Sequence, residues 1–563
     1  MEGEFQEVQQ LTVFSSLHRH LTMEALNDRQ LDVLVIGGGI TGAGIALDAS
    51  SRGLKTGLVE MQDFAAGTSS RSTKLIHGGL RYLKQLQIKM VADVGKERAI
   101  VYENGPHITT PEKMMLPFYR GGDLGPLATN LGLLLYDYLA KVDKTERRKM
   151  LSVKEALLKE PLLKRKNLMG AGLYVEYKTD DARLVIEVLK KAAEFGAHVI
   201  NYTKVTDFLY KQNKIIGVRV EDQITNKTYE IKAKKVINAT GPWVDRLREL
   251  DQTKDGKSLH LTKGVHLVFS KKDFPLKQAI YFDTPDERMI FAIPRGNKTY
   301  VGTTDTAYMG DLSRPTVTED DRDYLLQAIH YMFPSLEISK EHIESSWAGL
   351  RPLIADDEAD SPSEISRKDE IFLSPSGLIS IAGGKLTGYR KMAEKIVDII
   401  TEQLKKEEGI LYSPSATKQL PLSGGDVGGS AGFALYKERK KEAGMELGLS
   451  EKEAYSIAET YGSNTDILFD YYVNVKKIAE ERGIDPLLLS RLVYAMEYEA
   501  AYTPADFFVR RLGALYFQME LIEQSKEKVI DYMADKIGWS EEQKAEYSRE
   551  LNELIDDAKS PAQ

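Results

Sequence analysis

The sequence contains no cysteine. Disulfides, thiolate metal sites, cysteine nucleophiles and cofactors attached through cysteine are therefore excluded, and the composition fits a reducing cytoplasm. We predict no metal site. An excess of positive charge is also lacking, since the chain has 76 Lys and Arg against 84 Asp and Glu, which gives a net charge of −8. Because no excess of positive charge is available to phosphate backbones, we expect no nucleic-acid partner.

Long apolar runs are missing as well. The most apolar stretches, such as residues 131–136, fall far short of the ~20 residues that a membrane-spanning helix needs. The first residues are acidic and polar and do not resemble a secretory signal. We therefore expect a cytoplasmic protein that, if it meets a membrane, lies peripherally on the inner face of the cell membrane.

The chain of 563 residues is too long for one hydrophobic core, and its length predicts roughly three or four domains. An apolar run at 31–36 predicts a buried parallel strand, and small and apolar residues at 40–52 predict the helix that follows it. Asp181 is the expected cap of a later helix that runs to Phe195. Serine, proline and glycine at 413–432 indicate a linker, after which the pattern is charged and helical.

A glycine-rich turn joins the first predicted strand to the first predicted helix. Gly37, Gly39 and Gly42 have the spacing Gly-x-Gly-x-x-Gly, and Glu60 ends the next strand about twenty residues on. In this motif the first glycine permits a tight turn, the second lets a pyrophosphate approach, and the third lets helix and strand pack closely. The helix N-terminus attracts the pyrophosphate, and Glu60 can accept hydrogen bonds from ribose hydroxyls. The context predicts a dinucleotide-binding fold.

The loop alone does not distinguish FAD from NAD, because both carry an adenosine diphosphate. Two further glycine turns favour FAD, and their candidate cofactor-binding residues are Thr240, Gly241, Trp243, Gly384, Lys385, Leu386 and Thr387. The N–H groups of the second turn suit the negative charge of a reduced flavin ring. Glycine turns spread over so much of the chain do not fit a nicotinamide domain, which would be contiguous.

With these motifs the chain resembles the flavin-dependent glycerol-3-phosphate dehydrogenases, within the wider D-amino-acid-oxidase-like flavoproteins. The resemblance spans nearly the whole chain after residue 30, and the segment at 67–83, which contains His77-Gly-Gly-Leu-Arg-Tyr82, is its specific part. The other matching segments are 35–42, 239–243, 301–305, 347–353, 383–387 and 503–507, the last followed by Arg510 and Arg511.

The resemblance implies an α/β FAD-binding Rossmann-like domain that is discontinuous in sequence, an α+β substrate domain and a C-terminal helical domain. The expected bounds are 30–115, 170–250 and 351–405 for the FAD-binding domain, 116–169 and 251–350 for the substrate domain, 425–557 for the helical domain, and 1–29 for an N-terminal segment. Residues 67–79 would wrap the flavin ring and pyrophosphate, with Thr68, Ser69, Ser70, Thr73, Lys74, His77 and Gly79 as candidate contacts.

The substrate implied by the resemblance is glycerol 3-phosphate, whose phosphate needs fixed cations. Arg81, Arg351 and Lys385 lie beside family motifs and are the candidate ligands, and Tyr82 is expected to cover the substrate or donate its hydroxyl. In the implied reaction the middle carbon gives a hydride to the flavin while its hydroxyl loses a proton. His266 lies on a predicted strand where the family places a histidine and is the candidate base, although Arg351 could equally stabilise the developing alkoxide.

Three alternatives stay open. A glycerol-3-phosphate oxidase that uses oxygen would have nearly the same site, although the chain is compact before its Gly-Leu-Arg-Pro motif, which favours the dehydrogenase. A non-catalytic FAD-binding protein would not need Arg81, Arg351 and Lys385 together. An amino-acid oxidase of the same fold should need one arginine for a carboxylate.

The resemblance also implies a membrane quinone as electron acceptor. One stretch for docking is an N-terminal helix with Leu11, Phe14, Leu17 and Leu21 on one face beside His18, Arg19 and His20. The other is an apolar helix at 131–139, followed by a basic run with Lys144, Arg147, Arg148 and Lys149. An apolar face flanked by cations is what interfacial anchoring requires. Both helices could instead pack on the body or at a dimer contact, so a homo-oligomer also stays open.

Overall fold

The computed structural model describes residues 14–77, 88–121, 126–139, 146–356, 369–383 and 385–562. The predictions for Gly79, Arg81, Tyr82 and Gly384 lie outside these ranges, as do those for Leu11 and Lys144.

The described strands, in chain order, are β1 (Leu31–Ile36), β2 (Thr56–Val59), β3 (Leu75–Ile76), β4 (Thr109–Tyr119), β5 (Lys149–Leu151), β6 (Leu168–Thr179), β7 (His198–Ile200), β8 (Thr203–Lys211), β9 (Lys214–Asp222), β10 (Thr228–Asn238), β11 (Lys257–Ser270), β12 (Ala279–Asp283), β13 (Met289–Arg295), β14 (Lys298–Gly302), β15 (Thr306–Ala307), β16 (Ile343–Asp356), β17 (Glu370–Leu373) and β18 (Ile379–Ala382).

The described α-helices are α1 (Arg19–Asp28), α2 (Ile40–Ser51), α3 (Ile88–Asn104), α4 (Pro126–Leu139), α5 (Val153–Lys159), α6 (Asp181–Glu194), α7 (Val244–Leu250), α8 (Glu319–Met332), α9 (Tyr389–Glu408), α10 (Gly429–Glu446), α11 (Glu451–Tyr461), α12 (Thr465–Arg482), α13 (Pro486–Tyr498), α14 (Ala514–Phe517), α15 (Met519–Ile537) and α16 (Glu541–Lys559). A π-helix spans Asp506–Arg511.

The first sheet has the main order β17-β18-β10-β1-β2-β7, in which β18 to β7 run parallel and β17 is antiparallel to β18. β1 pairs in parallel with β2 and with β10, and all six of its residues are buried, as the continuous apolar run predicts. Helix α2 packs against α6 and α9 over this sheet. The carboxyl ends of β1, β10 and β18 therefore lie side by side, and each is followed by one of the glycine turns.

The second sheet has ten strands, with the main order β15-β11-β14-β13-β12-β4-β6-β3 and with β16 paired to β11. The long antiparallel pairing of β11 with β16 sets His266 opposite Trp347 and Thr262 opposite Arg351. β4 and β6 belong to this sheet, so the two sheets divide the chain differently from the predicted boundaries at 115 and 170.

Helices α12 to α16 and the π-helix share an apolar core with residues of the second sheet such as Val268 and Trp347, while α10 and α11 pack in smaller clusters. The segment that precedes α10 has no helix from residue 409 to residue 428, so the helical region begins at Gly429, inside the predicted linker.

The N-terminal segment packs into the body of the molecule. The ring of Phe14 is buried and stacks on Phe64 with ring centroids 5.4 Å apart. Arg19 is buried and forms an ion pair with Asp222 at 2.8 Å. Of the arrangements left open for this segment, Phe14 and Arg19 show packing on the body, because core packing holds the first side chain and a buried carboxylate holds the second.

Candidate functional site

The turn after β1 depends on the absence of side chains. Gly37 has a φ of +111°, and a Cβ there would lie 2.6 Å from the carbonyl oxygen of Ala239 on the neighbouring strand. A Cβ on Gly42 would lie 1.9 Å from the Gly37 carbonyl oxygen. Since real Cβ atoms do not approach backbone oxygen so closely, β1 and α2 can pack as they do only with glycine at both positions. This geometry fits the roles predicted for both glycines.

Gly39 caps α2, and the first amides of that helix face the neighbouring loop. The N–H of Ile40 donates to Ser69 Oγ at 3.0 Å. Glu60 accepts from the N–H groups of Gly38 at 2.6 Å and Gln62 at 2.8 Å. Burial raises the pKa of the Glu60 carboxyl, and these two N–H groups act in the opposite direction. The carboxylate is thus held against the glycine loop.

A cavity of about 390 Å³ lies over this loop and the turn after β10. The predicted residues that line it are Gly37, Gly39, Glu60, Thr68, Ser69, Thr240, Gly241, Trp243 and Leu386. A second cavity, of about 510 Å³, lies beside it and is lined by the predicted residues Thr73, His77, His266, Arg351, Lys385 and Thr387. Both cavities are lined by Thr68, Ser72, Pro352, Gly383 and Leu386, so together they form one long trough.

Ser70 and Lys74 lie behind the trough and line neither cavity. Lys74 is buried, and its Nζ donates to Asp181 Oδ1 at 2.6 Å and to the Ser70 carbonyl oxygen at 3.0 Å. The N-cap of α6 is Asp180, whose side chain accepts from Arg183 N at 3.0 Å. The Asp181 carboxylate instead accepts from Lys74 Nζ and from the Ser72 hydroxyl. The predicted Asp181 cap is therefore wrong by one residue.

His266 is buried at the wall of the second cavity. Its ring stacks on Trp347 with centroids 4.6 Å apart, and its Nε2 lies 2.9 Å from Thr73 Oγ1. Nδ1 has no hydrogen-bond partner among the described residues. Burial, followed by the charges of Arg351 and Lys74, lowers the pKa of His266 well below its ordinary value. The imidazole is therefore neutral at neutral pH and has the capacity to accept a proton.

Arg351 projects into the same cavity from β16. Its Nη2 donates to Thr303 Oγ1 at 3.0 Å, and its Nη1 donates to Asp305 Oδ1 at 3.1 Å. Thr303 and Asp305 belong to a family motif but carried no predicted role, and both line the cavity. These bonds fix the direction of the guanidinium plane at the cavity wall, where Arg351 is ion-paired with Asp305.

Two further arginines line this cavity, Arg71 and Arg288. Arg71 Nη1 donates to the Ser313 carbonyl oxygen at 3.1 Å, and burial lowers the pKa of its guanidinium. Arg71 lies inside the segment 67–83, so the motif there could have identified it as a candidate site residue. Arg288 lies over the Tyr324 ring, and nothing in the sequence near it indicated a site.

Glu176 was also missed by the sequence analysis and lines the same cavity. Arg98 Nη1 lies 3.1 Å from Glu176 Oε2, and the Tyr136 hydroxyl donates to that oxygen at 3.0 Å. Arg98 lies on α3 and Tyr136 lies on α4. The sequence of these helices does not indicate that both side chains contact Glu176 on β6. The cavity therefore combines cations with two paired carboxylates, Glu176 and Asp305.

Comparisons with known proteins place this trough in a defined family. Residues 32–390 match the model of the FAD dependent oxidoreductase family, and residues 415–544 match the C-terminal domain of alpha-glycerophosphate oxidase. The chain is 57% identical to the aerobic glycerol-3-phosphate dehydrogenase of Bacillus subtilis (strain 168), over 97% of this chain and 99% of that protein. It is 56% identical to the protein of the same name from Staphylococcus haemolyticus, over 97% of this chain and 98% of that one.

A solved structure agrees with these relatives. The glycerol-3-phosphate dehydrogenase from Bacillus halodurans, complexed with FAD, is 49% identical and superimposes with a TM-score of 0.85 over 98% of this chain and 99% of that chain. This agreement confirms the predicted fold class, the C-terminal helical domain and the resemblance from which both were drawn. The chain therefore belongs to the FAD-dependent oxidoreductases and, within them, to the aerobic glycerol-3-phosphate dehydrogenase family.

Proposed function

We propose that this protein oxidises glycerol 3-phosphate to dihydroxyacetone phosphate with FAD and passes the electrons to a membrane quinone. The observation that carries the proposal is the trough itself. One end has the glycine loop and Glu60, and the other has a neutral histidine among arginines. The relatives at 57% and 56% identity carry the name aerobic glycerol-3-phosphate dehydrogenase, which supports this substrate.

The residues fit FAD along the whole trough. Gly39 lines the trough at the N-terminus of α2 with no side chain in the way of a pyrophosphate, and Glu60 lines the same end. Thr240, Gly241 and Trp243 line the middle, while Leu386 and Thr387 lie towards the ring end. When bound, FAD supplies the acceptor for the substrate's hydride. Ser70 and Lys74 support the loop from behind, and the predicted role of Gly384 stays a prediction.

The phosphate of the substrate needs the cations of the second cavity. In the described part of the chain these are Arg71, Arg288, Arg351 and Lys385. Arg351 is the principal ligand in this proposal, because its hydrogen bonds to Thr303 and Asp305 fix its orientation before substrate arrives. Arg81 and Tyr82 remain predicted partners.

His266 is the proposed base. The proton of the middle hydroxyl passes to His266 Nε2, directly or through the Thr73 hydroxyl, since Thr73 lines the cavity and lies 2.9 Å from that nitrogen. Stacking on Trp347 holds the ring plane, and burial together with Arg351 lowers the imidazole pKa, which keeps the base in its neutral form.

The apolar face of α4 is the proposed membrane contact, and access to a quinone follows from it. Leu131, Leu134 and Tyr138 project from this helix with exposures of 67%, 48% and 80%. Their i, i+3, i+7 spacing forms one stripe on the helix. None of the helices in the described ranges is long and apolar enough to cross a bilayer. An interfacial helix of this kind would bring the enzyme to a bilayer-dissolved acceptor. Use of oxygen as acceptor is the competing proposal.

Replacement of Arg351 by alanine tests the phosphate site. Loss of a charge-assisted contact should lower kcat/KM for glycerol 3-phosphate roughly ten- to a hundredfold. Oxidation of glycerol, which lacks the phosphate, should change little. The measurement is steady-state kinetics on both substrates, at equal FAD content. An equal loss on both substrates would assign Arg351 to the flavin or to the fold instead.

His266→Ala should slow flavin reduction and leave FAD content intact, because the variant loses the proton acceptor but none of the cofactor contacts. In the wild type the active form is the neutral imidazole, whose pKa is lowered well below its ordinary value. Flavin reduction should therefore persist as the pH falls through the ordinary histidine range near 6.5. Stopped-flow absorbance across pH measures both effects. A variant that reduces its flavin at the wild-type rate would give the role of base to another group.

Membrane contact is tested by replacing Leu131, Leu134 and Tyr138 with serine and measuring cosedimentation with anionic liposomes. The triple variant should stay in the supernatant, while the wild type sediments. Leu435→Ser is the matched control, since Leu435 lies on α10 and has the same 67% exposure as Leu131. Equal sedimentation of the triple variant and the wild type would remove α4 as the anchor.

A further inference from the structure

Asp63 connects two stretches of backbone that line the adenosine end of the trough. Glu60, Met61 and Gln62 line the cavity just before it, and the residues from Ala66 to Ser69 line the cavity just after it. Asp63 itself is 1% exposed and points away from the cavity wall. Its carbonyl oxygen accepts from Ala66 N at 3.1 Å, which closes the turn between the two stretches.

The carboxylate of Asp63 is held by the C-terminal domain. Arg511 donates to both of its oxygens, from Nη1 at 2.6 Å and from Nη2 at 2.9 Å. Arg510 Nε donates to the same carboxylate. Both arginines belong to the π-helix Asp506–Arg511, whose first residue, Asp506, accepts from Arg510 Nη2 at 2.6 Å. Two arginines and two carboxylates thus form one buried, balanced cluster.

Burial makes this cluster costly to break. All four side chains are less than 9% exposed. Burial raises the pKa of Asp63, but Arg511 and Arg510 outweigh burial and hold that pKa below its usual range. Removal of one partner would leave an uncompensated buried charge, which costs far more than the loss of a surface ion pair. The bidentate fork of Arg511 also fixes the direction of the carboxylate, which a single hydrogen bond would not do.

Besides the bonds that the Glu60 carboxylate accepts from Gly38 N and Gln62 N, the Glu60 stretch makes backbone bonds to its neighbours. Tyr202 N donates to the Gln62 carbonyl oxygen at 2.9 Å, and Thr203 N donates to the Glu60 carbonyl oxygen at 2.7 Å. These bonds fix the stretch along the sheet edge. In the described part of the molecule, three side chains donate hydrogen bonds to the Asp63 carboxylate. Asn201 donates from the side of the sheet, and Arg510 and Arg511 donate from the C-terminal domain.

We propose that Arg510 and Arg511 are positioning residues for the cofactor: through Asp63, the C-terminal helical domain holds segment 60–69, which lines the cavity for the adenosine diphosphate part of FAD, in its FAD-binding shape. The inference rests on the proposed role of Glu60 at the adenosine end. The C-terminal domain would then help to retain the cofactor, although it does not contact the reacting atoms. FAD and ADP should therefore be affected alike by a change at Asp63, because both carry the adenosine diphosphate.

The test is FAD release from the holoenzyme. Dilution of wild type, Asp63→Asn and Arg511→Lys, followed by fluorescence of the released flavin, gives the Kd for FAD, and displacement by ADP gives the affinity for the adenosine end. Asp63→Asn keeps the shape but loses the charge, and its Kd for FAD should rise roughly ten- to a hundredfold. Arg511→Lys keeps the charge but loses the fork, so its Kd should rise by a smaller factor. ADP affinity should fall by the same factor in each variant.

Tyr494→Phe is the matched control. The Tyr494 hydroxyl accepts from Lys190 Nζ at 2.6 Å, which links α13 to α6 across the same domain boundary without contact to Asp63. Its Kd for FAD should equal that of the wild type. If Asp63→Asn does not fold, Arg511→Lys decides. Wild-type affinity in Arg511→Lys, or an equal loss in Tyr494→Phe, overturns the inference. A wild-type protein that holds no FAD would overturn the proposed function as well.

Discussion

The close approach of backbone to backbone at the carboxyl edge of the parallel sheet is the constraint on which the rest of the structure depends. Gly42 lies against the Gly37 carbonyl, and Gly37 lies against Ala239, at separations that leave no room for a Cβ. Without a side chain at these points, β1, β10 and α2 come together and leave a trough above them. The cavity, its helix N-terminus and the position of Glu60 all follow from that packing.

Burial determines the chemistry at the other end of the trough. His266 lies in a wall that already holds positive charge, and burial together with Arg351 keeps its imidazole neutral. The positive charge that suits a phosphate therefore also helps to keep the imidazole unprotonated. Lys74, in contrast, forms an ion pair with Asp181, and this pair holds the loop in shape. The two residues are neighbours in space, and their partners separate their roles.

Much of this arrangement could be predicted from the sequence, because local spacing carries it. The glycine turns, the buried strand before Gly37 and the strand that bears His266 all follow from patterns within a few residues. Features set by distant parts of the chain could not be predicted in the same way. Phe14 is buried because Phe64 meets it, and Arg288 lines the cavity because two strands turn there. The clusters around Asp63 and Glu176 likewise join segments that are far apart in the chain.

The central claim is that one trough holds FAD beside a site for a phosphorylated alcohol. Anaerobic mixing of the purified, FAD-loaded protein with glycerol 3-phosphate, followed by flavin absorbance, tests that claim most directly. The account predicts that glycerol 3-phosphate bleaches the bound flavin, that glycerol at the same concentration bleaches it far more slowly, and that inorganic phosphate does not bleach it. Dihydroxyacetone phosphate should appear in an amount equal to the flavin reduced. A bound flavin that stays oxidised in the presence of glycerol 3-phosphate would contradict it.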